Sequence, residues 1–189
     1  DPSQPVICLD HDVQNMSPEN LAKYAKIEAF AKEHGLAFFR AGEGIGHQIM
    51  AEEGFCQPGC LVVGSDSHSN LYGALATVGA PVVRTVAAAI WATGECWWQV
   101  PATVRVNLRG RLKPGVVGKD VILALIGLFS HGETLNCAVE FHGDGIASLS
   151  MDQRMTIANM TTEWGALVGM LPYDGILDAF LRRQAAVFR

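Results

Sequence analysis

What constrains this chain most is an alternation of short apolar runs with helical stripes through its first 70 residues. Val6-Ile7-Cys8-Leu9 stops in Asp10-His11-Asp12, a second run at 36–39 leads into Gly42-Glu43-Gly44-Ile45-Gly46, and Cys60-Leu61-Val62-Val63 stops in Ser65-Asp66-Ser67-His68-Ser69-Asn70. Apolar runs this short, without polar alternation, are the pattern of strands buried on both faces. Between the first two, Ser17 offers an N-cap and Pro18 the first helical position, Leu21, Tyr24, Ile27, Phe30 and Ala31 mark one face, and Gly35 closes the helix. A short helix from about His47 to Glu53 precedes the third. Strand and helix taking turns predict an α/β fold in three layers, α/β/α, with a mostly parallel sheet.

After Pro101 the pattern changes. Val104, Val106 and Leu108 alternate with polar residues, and Arg109-Gly110 makes a turn. Asp120 precedes an apolar helix over 121–129 that stops near Gly132, and 137–141 is another strand. Ser150 and Gln153 form a capping box opening a helix expected to run to about Gly169. A domain boundary is placed near Pro101, and no internal repeat is visible.

With 49% apolar and 17% charged residues among 189, the chain can build a core and is not a disordered segment. The net charge of −5, with no Lys/Arg block, gives no nucleic-acid footprint. The stretch 71–83 is too short and too broken by Gly and Pro to span a membrane, so no membrane partner is expected. Five cysteines, an odd and small number, point to a soluble protein in a reducing compartment rather than a disulfide scaffold. The opening DPSQPVICLD and the closing DAFLRRQAAVFR both read as cut from something longer, with a processed small protein as the alternative.

In open parallel sheets functional groups gather beyond the carboxyl ends of strands. Two strands here end in an Asp/His group, Asp10-His11-Asp12 and Asp66-Ser67-His68. A carboxylate beside an imidazole fixes its tautomer and favours its charged form, which suits proton transfer. One such group would be an ordinary turn former; two at equivalent places favour a site. His47 after the glycine run is either a plain first-turn residue or a side chain facing an anion that the glycines let approach. Asn159 and Glu163, four apart, are expected on one helical face. Glu163 is either solvent-facing or a buried carboxylate that His68 or His11 would have to partner. His34 and His131 read as helix-end residues, and His142 as core or site. Trp97-Trp98 with Trp91 reads as packing. Cys56 and Cys60 lack zinc-ribbon spacing and are taken as structural, and Cys8 and Cys137 as core. This inventory fits proton transfer on a small carboxylate substrate. It also fits a metal-dependent hydrolase binding zinc or manganese through His11, His47 and His68.

Four ordered motifs, LDHDVQN at 9–15, GIGHQIM at 44–50, VVGSDSHSNLYGAL at 62–75 and TIANMTTEWGA at 156–166, together resemble the aconitase superfamily. AAAIWATGECWWQVP and GKDVILALIGLF are more narrowly similar to its homoaconitase branch, the fungal-type group of lysine biosynthesis. The resemblance runs through essentially the whole chain but covers part of a several-fold longer, four-domain enzyme. It implies an aconitase-like first domain over 1–100 and the start of a second over 101–189. It implies a reversible hydro-lyase of the mitochondrial matrix that hydrates cis-homoaconitate to homoisocitrate with a [4Fe–4S] cluster as Lewis acid. On that resemblance Asp10 and His11 protonate the departing hydroxyl, and His47 and Asp66 form a second hydrogen-bonded pair. Ser67 contacts the tricarboxylate, His68 and Glu163 hold the hydroxyl or water, and Asn159 lies beside the cluster. The cluster cysteines, the substrate-clamping arginines and the serine base belong to later domains. The chain is therefore expected to be inactive alone, its partners being those domains. A non-catalytic binding module with this fold is the further alternative.

Overall fold

The computed structural model of the chain describes residues 5–187. By packing they form two units, one through Glu53 and one from Gly54. Pro101 lies inside the second.

In the first unit, β1 (Val6–Cys8) and β2 (Ala37–Phe39) pair in parallel, Val6 opposite Ala37 and Cys8 opposite Phe39. The crossover is α1 (Pro18–His34), capped as expected: the Ser17 hydroxyl accepts the Asn20 N–H, and Gly35 takes φ +66° at the C-terminus. α2 (Gly46–Glu52) follows the glycine run. The helix–strand alternation and the parallel pairing are those the apolar runs predicted.

The second unit opens with β3 (Leu61–Gly64) in parallel with β4 (Val78–Pro81), joined by a 3-10 helix over Ser69–Leu75. α3 (Arg84–Thr93) leads to a three-stranded parallel sheet in the order β5 (Thr103–Asn107), β6 (Ala138–His142), β7 (Val168–Met170). α4 (Gly118–Leu128), α5 (Met151–Met160) and α6 (Gly175–Val187) complete it. Phe141, Ile122, Leu75, Ile157, Leu171 and Leu177 are wholly buried there, together with one charged side chain, Arg154.

Three expectations need correction. The helix opened by Ser150 does have its capping box, but it ends at Met160 and not near Gly169. The Thr161 hydroxyl donates to Ala158 O at 2.7 Å, Gly165 takes φ +85°, and Ala166 N–H closes the turn on Thr161 O at 3.0 Å. The apolar residues beyond are a strand, β7, which pairs with β6 from Val168 opposite Ala138. The tryptophans at 91 and 97 are not buried: both are exposed, Trp97 by 86%. α3 stops at Gly94, and the residues that follow run without regular structure along a cleft of about 780 Å³ lined by Val83, Val86, Cys96, Trp97 and Trp98. Cys60, likewise, is exposed.

Candidate functional site

Each Asp/His group lies just past the carboxyl end of a parallel strand, one in each unit. In the first unit Leu9 N–H still pairs with Phe39 O at 2.9 Å, and the chain then leaves the sheet at Asp10. Asp10 Oδ1 holds His11 Nδ1 at 2.6 Å, and its Oδ2 accepts the Gly46 N–H at 2.6 Å. The carboxylate is thus fixed from both sides, while the His11 ring stays 75% exposed. With Asp10 bonded to Nδ1, a proton placed on that nitrogen would leave Nε2 as the other site for proton exchange. A Cβ at Gly46 would stand 2.8 Å from Asp10 Oδ2. The glycine therefore does admit a close anion, but that anion is the chain's own Asp10. His47, the next residue, is half-buried in α2.

The loop carrying His11 is anchored by residues that no motif flagged. Asn20 is 4% exposed and donates to Asp12 O at 3.2 Å and Asn15 O at 2.8 Å, and the Tyr24 hydroxyl donates to His11 O. Asp12 takes φ +58° at the turn. Their only sequence signal is position, one and two turns into the helix that follows the loop.

In the second unit Asp66 Oδ1 accepts the His68 N–H at 2.8 Å, and Ser69 donates its hydroxyl to Asp66 O at 2.9 Å. These bonds bend the chain after β3 so that Ser67 Oγ lies 3.0 Å from His68 Nδ1. His68 Nε2 lies 2.9 Å from Glu163 Oε1. Ser67, His68 and Glu163 thus form one hydrogen-bonded relay. Glu163 is 54% exposed, which selects the solvent-facing reading, and His68 is nevertheless its partner. Asn159 is on the last turn of α5 and Glu163 in the turn beyond it, so they do not share a helical face. Thr162 Oγ1 donates to Ser67 O at 2.8 Å, a contact the sequence did not suggest.

Of the other histidines, His34 is in the last turn of α1, His131 is exposed near Glu133, and His142 Nε2 lies 3.3 Å from Glu140 at the end of β6.

An iron–sulfur cluster needs several converging thiolates. Burial first, then the Asp10 and Glu43 charges, pushes the Cys8 thiol up to about 11. Burial first, then the charge of Cys60, pushes Cys56 up to about 12. Cys8 is on β1, Cys96 follows α3 and Cys137 precedes β6, and among the described residues no three His, Cys, Asp or Glu side chains come together to hold a metal ion. The donor set does not fit a cluster, nor a metal held by His11, His47 and His68.

The sequence profile of the aconitase family (aconitate hydratase) matches residues 1–188. The chain is 61% identical over 187 residues to a protein named mitochondrial homoaconitase from Aspergillus niger, covering 98% of this chain and 24% of that one. Proteins of the same name are 62% identical over 173 residues in Cryptococcus neoformans and 59% identical over 177 residues in Yarrowia lipolytica, covering 92% and 94% of this chain and 24% and 26% of theirs. The chain thus spans about a quarter of the length of the curated relatives it matches.

Proposed function

From the premise that this chain belongs to the aconitase family, we propose that it forms the proton-donating side of a hydro-lyase site in an enzyme of homoaconitase type. The reaction would be the reversible hydration of cis-homoaconitate to homoisocitrate. The observation that carries the reading is the pair of carboxylate-held imidazoles beyond parallel strands, Asp10–His11 and His68–Glu163.

In the dehydration direction His11 gives the Nε2 proton to the departing hydroxyl, which leaves as water, while Asp10 keeps the ring oriented and stabilises it when charged. His68, held between Ser67 and Glu163, supports the hydroxyl or water, and Ser67 offers its hydroxyl to the tricarboxylate. His47 and Asp66, one in each unit, are further catalytic residues on this reading, and Asn159 is a cofactor-binding residue. Removing the carbon-bound proton requires a base outside this inventory. The family's [4Fe–4S] cluster would take its thiolate ligands from outside this inventory, because the thiols here do not fit it. The aconitase-like domains to which these residues belong are assigned as 1–100 and 101–189, and the mitochondrial names of the relatives support a matrix location.

A chimera in which this chain replaces the matched quarter of the Aspergillus niger relative tests the reading. It should hydrate cis-homoaconitate, and His11→Ala or His68→Ala should lower kcat by about 10²–10⁴-fold. An active chimera indifferent to both substitutions would overturn the assignment, and turnover by the isolated chain would overturn the division of labour.

A further inference from the structure

We propose that Asn70 and Thr162 are positioning residues for the Ser67–His68–Glu163 relay: together they clamp the turn that carries Glu163 onto the loop that carries His68. The inference rests on reading that relay as part of the site.

His68 and Glu163 are 95 residues apart in sequence, and each sits on irregular backbone. An exposed ion pair of this kind contributes little, because its attraction is offset by the entropy of ordering two long side chains. It cannot itself hold two loops in register. Two other contacts can. Thr162 Oγ1 donates to Ser67 O at 2.8 Å, so the residues just before Glu163 and just before His68 are tied to each other. Asn70, wholly buried, donates from one amide nitrogen to Thr161 Oγ1 at 2.9 Å and to Ala166 O at 3.1 Å. These are the two ends of the turn over 161–166, so one side chain grips both.

The base of the clamp is closely packed. The 3-10 helix that begins at Ser69 approaches β7 so closely that a Cβ on Gly73 would stand 1.6 Å from Gly169 O, and Leu171 N–H donates to Gly73 O at 3.0 Å. Asn70 also carries a cost that packing alone does not justify. Its Oδ1 is buried without a hydrogen-bond partner among the described residues, a desolvation cost that an apolar residue of the same size would avoid. Both amide hydrogens are spent on the Glu163 turn, which is what a residue retained for geometry looks like.

The test reads the imidazole itself. The full chain, labelled with ¹⁵N-histidine, is examined by long-range ¹H–¹⁵N NMR at pH 7, with the His68 signals assigned by His68→Gln. Glu163→Gln should move the His68 Nε2 resonance. Asn70→Leu and Thr162→Val should move it in the same direction, while Thr162→Ser, which keeps the hydroxyl, stays at the wild-type position. Ile157→Val serves as a control for general loosening of the core and should leave His68 unmoved. If Asn70→Leu or Thr162→Val lowers the melting temperature while His68 stays in place, both residues are merely structural and the inference fails. If Asn70→Leu does not fold, the Thr162 pair decides alone. If Glu163→Gln leaves His68 unmoved, the relay reading fails instead, a distinct outcome.

Discussion

Arg154 offers the sharpest test of how the second unit is held together. Its guanidinium, wholly buried on α5, makes four hydrogen bonds: to Leu149 O at 3.2 Å, to Ile146 O at 3.0 Å, and to the two Asp174 carboxylate oxygens at 2.7 and 2.6 Å. Asp174 also accepts the Ile176 and Leu177 N–H groups at 3.1 Å, so it caps α6 and joins that helix to α5. Removing one partner of a buried pair costs about 3–5 kcal/mol, because the other is left uncompensated. The two single changes should differ. Arg154→Met fills much of the space and leaves Asp174, 29% exposed, with its peptide donors. Asp174→Asn keeps the cap but strands a cation in the core, so it should lie at the upper end. With a urea m-value of about 2 kcal/mol/M for a chain of this size, either midpoint should fall by roughly 2 M. All four tryptophans lie in this unit, and Trp164 is buried with its Nε1 donating to Phe129 O at 2.7 Å, so fluorescence follows the transition. Acid titration gives a second readout. The Arg154 hydrogen bond, ahead of those from Leu177 and Ile176, holds the Asp174 carboxyl below its usual range against a burial effect in the opposite direction. The contribution is complete above the unfolded value of about 3.9 and disappears as pH falls through the lower folded one, so Arg154→Met should flatten the acid limb below about pH 4. A wild-type acid limb in Arg154→Met, or a stability loss under about 1 kcal/mol for both variants, would refute the reasoning, since only a surface-like pair behaves so.

Gly73→Ala should be at least as damaging, about 3 kcal/mol or more, because both its Cβ and the Gly169 carbonyl it would strike belong to tightly packed backbone; a thermal melt within 2 °C of wild type would contradict the close approach. Iodoacetamide at pH 8 should label the exposed Cys60 and Cys96 in the folded chain and spare Cys56, whose thiolate fraction at a pKa of about 12 is on the order of 10⁻⁴; peptide mapping that finds Cys56 modified as fast as Cys60 would count against its burial. Anaerobic iron–sulfur reconstitution of the isolated chain should give no stoichiometric iron and no stable cluster absorption, whereas a stable cluster would make ligands of thiols that the structure holds apart.

The strands and helices of the first unit were legible because each is announced by short-range chemistry. Ser17, Pro18 and Gly35 are sufficient to bound α1, and four-residue apolar runs need no partner to be recognised. The failures are where a long-range partner decides. Val78–Pro81 contains glycine and proline and becomes a strand only because β3 lies beside it, with Val63 opposite Ala80. Gly169 weakens any strand propensity at 168–170, yet the absence of a side chain there admits the Thr161 side chain, whose Oγ1 would lie 2.3 Å from an added Cβ. Helical periodicity continues through that region, which is why the helix was expected to run on, and only the Thr161–Gly165 turn interrupts it.

The same distinction separates the proposed site residues from the residues that anchor their loops. Asp10, His11, Asp66 and His68 stand out because Asp/His groups recur at equivalent places, directly after two parallel strands. Asn20, Tyr24, Asn70 and Thr162 are ordinary residues in ordinary places until the fold brings them to a loop. Asn20 reaches back eight residues to Asp12 O, and Asn70 reaches across 91 and 96. What such residues supply is not chemistry but constraint: an imidazole 75% exposed at His11, or a carboxylate 54% exposed at Glu163, has no core around it to set its direction. A proton donor must be held within hydrogen-bond reach of its acceptor to contribute. On the proposed reading, orientation at an exposed site has to come from buried polar groups gripping the backbone beneath it, and each unit has a buried asparagine there whose side-chain oxygen has no partner among the described residues.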